Sequence, residues 1–156
     1  MERDGRPLSL SDIVALPDSS NWVALLRERI LEIGFAEGEE TLPELARVIF
    51  RAETIVRNTL SGGLSNFVGP SGSTIAEARA IHSAMVRIGA PRMAEVLRRA
   101  CDLMATAPAS AWSDESSAQS LALNELEEEF WKIGFDEPDG AVQDFVWRHR
   151  SDFRAT

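Results

Sequence analysis

The chain has 156 residues, 44% of them hydrophobic, which allows one continuous core and excludes general disorder. Twenty-five acidic against sixteen basic residues give a net charge of −9. That balance argues against direct nucleic-acid binding, which needs a basic patch to displace phosphate counterions, and suits a basic protein partner. Cys101 stands alone, so no internal disulfide is available, and no apolar run approaches the roughly 18 residues of a membrane span.

Residues 1–8 read as loose. Met1 to Arg6 is polar with no apolar segment behind it, so no signal peptide is expected and the cytoplasm is the default location. A short helix is predicted from Leu10 to Leu16, capped by Ser9 or Ser11 and stopped by Pro17. Trp22, Leu25, Leu26, Ile30 and Ile33 recur at helical spacing, and Ile33-Gly34-Phe35 reads as a glycine stop. An acidic loop of Glu37, Glu39 and Glu40 follows. Thr41 then caps a helix whose stripe runs from Leu45 through Val48, Ile49, Ala52, Ile55 and Val56 to Leu60, with Pro43 in its first turn.

The segment Gly62 to Gly72 holds four glycines and a proline and reads as a loop, with Phe67 and Val68 tucked onto the core. Thr74 and Glu77 have capping-box spacing before the stripe Ile75, Ala78, Ile81, Met85, Ile88. Gly89 ends that helix and Pro91 opens the next, which carries Met93, Val96, Leu97, Ala100, Leu103 and Met104, so the two form a hairpin. Cys101 lies on this stripe as a small buried hydrophobe. Thr106 to Glu115 is a connection anchored by Trp112. Leu123, Leu126, Phe130 and Ile133 mark a helix ending at Gly134-Phe135. A second acidic loop, Asp136 to Asp139, precedes a last helix with Val142, Phe145, Val146, His149 and Phe153. No segment alternates with period two. The expected fold is all-α, a single compact bundle of about six to seven helices with a Gly-rich loop between the central ones. Ile33-Gly34-Phe35 and Ile133-Gly134-Phe135 read as one helix stop used twice.

The residues that carry chemistry are sparse. His82 and His149 are the only histidines, without metal-ligand spacing, and His149 reads as a packed core residue. Nucleophile elbow, Walker and dinucleotide motifs are missing. The chain therefore reads as non-enzymatic, with no metal and no cofactor. Two features remain. Glu125, Glu127, Glu128 and Glu129 crowd one helix, with Asp136, Glu137 and Asp139 close behind. Separated carboxylates of this kind can imitate part of the charge field of duplex DNA, although on composition alone a solvated helix face explains them more cheaply. The Gly-rich loop, with Asn58, Gly62, Gly63, Asn66 and Ser71, precedes a helix N-terminus, where an anion or small molecule can bind.

One order of motifs goes further. Glu53-x4-Asn58-x3-Gly62-Gly63-Leu64-x-Asn66-Phe67-x3-Ser71-Gly72 is followed by Ile88-Gly89-Ala90-Pro91. Then come Ala100-Cys101-Asp102-Leu103, Leu126-Glu127-Glu128-Glu129-Phe130-Trp131, and Phe145-Val146 with Phe153. Over about residues 45–153 this resembles a bacterial domain-of-unknown-function family best known through a DNA-mimic protein. The chain departs from it at Ser61, Leu64, Asn66 and Trp131. The resemblance implies an all-helical fold, dimerisation, no enzymatic activity, and acidic side chains occupying the DNA-binding face of a transcription regulator. Rival readings are a ligand module built on the Gly62–Gly72 loop and an immunity or accessory protein of a toxin-like system.

Overall fold

The computed structural model describes residues 2–3, 6–18, 20–60, 63–68, 74–107 and 116–154. The fold is an all-α bundle. Its long helices are α2 (Trp22–Glu37), α3 (Glu44–Leu60), α5 (Ile75–Ile88), α6 (Pro91–Thr106), α7 (Ala118–Ile133) and α8 (Asp136–Arg148). Short helices α1 (Leu10–Val14), α4 (Ser65–Val68) and α9 (Arg150–Phe153) join them. Ahead of α1, where loose chain was expected, strands β1 (Glu2–Arg3) and β2 (Arg6–Pro7) pair antiparallel, Glu2 opposite Pro7.

Local chemistry explains most helix ends. Ser9 caps α1 in a reciprocal box with Asp12, and Thr74 does the same for α5 with Glu77. Gly89, at φ 92°, ends α5 in the left-handed conformation that a side chain resists. Thr41 does not cap α3. Its hydroxyl donates to the Gly38 carbonyl at the end of a 3-10 turn, Glu39–Thr41, and Pro43 instead accepts the first helical bond from Arg47 N–H.

Gly34 does not stop α2, which runs a further turn to Gly38 (φ 95°). A Cβ on Gly34 would overlap the ring of Phe50, so the glycine is there to let α2 and α3 approach closely. Gly134, in the matching tripeptide, does end its helix, at φ 65°. The expected acidic loop Asp136 to Asp139 is the first turn of α8, where carboxylates face the positive end of the helix dipole and Pro138 gives up no bond.

The α5–α6 hairpin forms the centre. α3 packs on α5 and α2, α7 lies along α6, and α8 crosses α5, α6, α2 and α3. Trp22, Leu26, Ile30, Ile49, Ile55, Phe67, Met85, Ile88, Phe130, Phe145 and Phe153 are wholly buried in the shared core. At about 1.5–3 kcal/mol for each large apolar side chain, this burial is the main stabilising contribution. Cys101 is buried as expected, and burial pushes its thiol up from the ordinary value. His149 is not a core residue. It stays partly exposed, its Nδ1 bonded to Asp152 and its ring against Phe145. Arg150 fastens the C-terminal end to the N-terminal one: it donates to the carbonyls of Val14 and Leu16, pairs with Asp18, and lies 4.4 Å from the Trp22 ring centroid. No helix among the described residues is long and apolar enough to cross a membrane. Trp112, and Gly62 and Ser71 of the expected loop, lie outside the described residues.

Candidate partner-binding face

The candidate carboxylates are carried by α7 and α8, which follow one another in the chain. Ser117 caps α7 by accepting from Ser120 N–H. Leu123, Leu126 and Phe130 turn one side of α7 into the core. The 3.6-residue period then sends Leu121, Glu125, Glu128, Trp131 and Lys132 outward, and all five are exposed. Gly134 redirects the chain, and α8 begins at once with Asp136.

The seven carboxylates singled out by sequence divide into two groups. Four are engaged by the protein itself. Glu137 accepts the backbone N–H groups of Met93 (2.8 Å) and Arg92 (3.3 Å). It thereby caps α6, whose own N-cap, Ala90, has no side chain able to do so. Asp139 pairs with Arg27 at 2.6 Å, and Arg27 also holds the buried Glu53 at 2.5 Å. Burial works against the charge of Arg27, but the bonds to Glu53 and Asp139 outweigh it and raise its pKa. Glu129 is bound to Arg99 at 2.6 Å. Glu127 takes the indole N–H of Trp131 at 3.4 Å, and its carboxylate fills the space that a side chain on Gly63 would need.

Glu125, Glu128 and Asp136 form the second group. Glu128 is 76% exposed, with only a 3.8 Å approach from Lys132. Glu125 and Asp136 are exposed and have no cation partner among the described residues. Sequence reasoning missed Asp144, which is likewise exposed and unpaired on α8. Its signal was helical spacing from Asp136, hidden while Asp136 was read as loop.

The rest of the surface explains why the outer face stays acidic. Arg51 is held by Glu39, Arg87 by Glu44, Arg98 by Glu95 and Asp102, and Arg47 by three backbone carbonyls. Cations spent in such pairs cannot neutralise α7. Glu28, Glu37 and Glu40 also lack a cation partner among the described residues; they are carried by α2 and the turn that follows it.

Of the Gly-rich loop candidates, Asn58 is exposed on α3 and Gly63 is buried at φ 67°. Asn66 lies in α4, and Leu64, Phe67 and Val68 face the core. No group of three or more metal-ligating side chains occurs among the described residues.

Fold and surface together define an acidic, all-α helical bundle with exposed carboxylates on its outer helices. The chain belongs to the DMP19-like protein family, the DNA-mimic family, whose model matches residues 40–149. The match agrees closely with the stretch in which the sequence motifs fall. No curated protein and no solved structure matches the chain.

Proposed function

We propose that this protein is a non-enzymatic DNA mimic. It binds the DNA-contacting surface of a basic protein, such as a transcription regulator, through Glu125 and Glu128 on α7 and Asp136 and Asp144 on α8. The observation that supports this most is the division of the carboxylates. The chain's own arginines and helix ends use Glu129, Glu137 and Asp139, and leave these four exposed, none of them held at its carboxylate by an arginine side chain among the described residues and Glu128 met only by the exposed Lys132 at 3.8 Å. Glu125 and Glu128, three apart on α7, are about 4.5 Å apart along its axis, on the scale of the roughly 3.4 Å of axis per phosphate of one DNA strand. Long-range attraction from the −9 charge speeds encounter with a basic partner.

Capture from a lysate of the source organism tests the reading. A DNA-binding protein should be retained at low salt, released at high salt, and displaced by duplex DNA. The combined variant Glu125→Gln, Glu128→Gln, Asp136→Asn and Asp144→Asn should lose it. Equal capture by that variant would remove these carboxylates from the function. A ligand role for the Gly-rich loop draws no support from its described part, because Glu127 stands against Gly63 and would repel an anion there.

A further inference from the structure

Trp131 sits on the outer side of α7, 46% exposed, among the carboxylates. A half-exposed indole keeps an apolar face open to a partner, and what distinguishes this one from the other exposed apolar side chains is its fixed position beside carboxylates. The position is fixed three ways. The ring meets Phe130 at 5.3 Å and Phe135 at 6.0 Å between centroids, both edge-on, and its N–H is held by Glu127. Glu128 lies three residues before it, on the same side of the helix. The protein contains a worked instance of what an indole does with a cation: the Arg150 guanidinium lies 4.4 Å from the Trp22 centroid and 5.5 Å from that of Trp147. No cation of the chain occupies the ring of Trp131 in this way among the described residues.

We infer that Trp131 is a seat for an arginine side chain of the bound partner, with Glu128 pairing the same guanidinium and Glu125 a neighbouring cation. The occupant is thus an arginine-bearing segment of a basic protein. Charge complementarity selects a cation, and the flat, half-open ring selects arginine over lysine, because a guanidinium stacks on an aromatic face while forking to a carboxylate. This rests on the proposed DNA-mimic reading and adds to it. Carboxylates alone attract any cation, whereas an indole among them discriminates.

The test uses the full chain with two synthetic probes of equal charge, an eight-residue arginine peptide and an eight-residue lysine peptide. Affinities are measured at low salt for the wild type, Trp131→Leu, Trp131→Phe, and the Glu125→Gln/Glu128→Gln pair. The arginine peptide should bind the wild type about two- to five-fold more tightly than the lysine peptide, the range of an exposed cation–π contact. Trp131→Leu should erase that preference, weakening arginine-peptide binding more than lysine-peptide binding, and Trp131→Phe should keep part of it. The Trp131 indole N–H resonance should shift with the arginine peptide only. A preference absent in the wild type, or intact in Trp131→Leu, would overturn the seat. If the Glu→Gln pair binds both peptides as the wild type does, the acidic-face reading fails on its own account, and with it Glu128 as the seat's counter-charge. Absence of binding by either peptide overturns both.

Discussion

Gly34 shows how much one missing methyl group decides. On helix propensity alone, Gly34→Ala inside α2 would stabilise by about 0.5–1 kcal/mol. The Phe50 ring occupies the space where the new Cβ would go, and it is buried and cannot swing out freely. Overlap of this kind in a packed core destabilises by about 1–3 kcal/mol, so the net effect of Gly34→Ala is loss of stability. Urea unfolding should show a lower midpoint, with part of the loss recovered when Phe50→Leu is added. An unchanged or higher midpoint would mean that α2 and α3 do not approach as closely as this. The residue looked like a helix stop because a glycine before an apolar residue is a stop signal. Its true role depends on Phe50, sixteen positions later in the sequence.

At the scale of elements, the ends of helices are where remote parts of the chain intervene. The caps of α1 and α5 are local, made by Ser9 with Asp12 and Thr74 with Glu77, and could be read directly. The cap of α6 is supplied by Glu137 from another helix, forty-odd residues away, and no spacing rule announces it. Glu137→Ala should therefore destabilise the protein by about 1 kcal/mol, as loss of an N-cap does, with faster hydrogen exchange in the first turn of α6. Glu137→Gln, which keeps an acceptor, should lose less. Neither substitution should weaken partner capture to the extent of the four outer-face substitutions. Equal loss of capture would place Glu137 in the interface after all.

The whole molecule carries its charge unevenly, and pH reveals the consequence. Hydrogen bonds from the Thr74 backbone and hydroxyl hold Glu77 below the ordinary glutamate value, and the Arg51 guanidinium holds Glu39 below it. Their folded pKa values are depressed, so the stability they contribute is complete above the ordinary value near 4.5 and is lost as pH falls through the lowered ones. Acidification also relieves the repulsion of a −9 surface, which acts in the opposite direction. The comparison that isolates the two carboxylates is the thermal midpoint of the wild type against Glu39→Gln/Glu77→Gln between pH 7 and pH 3. The variant should start lower at neutral pH and fall less steeply in acid. Parallel curves would mean that these bonds contribute nothing.

The amino-acid sequence by itself determined the helical stripes, the hairpin at Gly89 and Pro91, the burial of Phe67, Cys101 and Phe130, and the motif order that marks the family. All of these are set by periodicity or by backbone preferences acting within a few residues. The tertiary structure decided which carboxylates are available. Glu128 and Glu129 are neighbours of one type, yet Glu128 points to solvent and Glu129 meets Arg99 from the adjoining helix. Asp136 and Glu137 part in the same way. A charge is spent or free according to what the fold brings within a few ångströms of it, and that distance is a property of packing between helices.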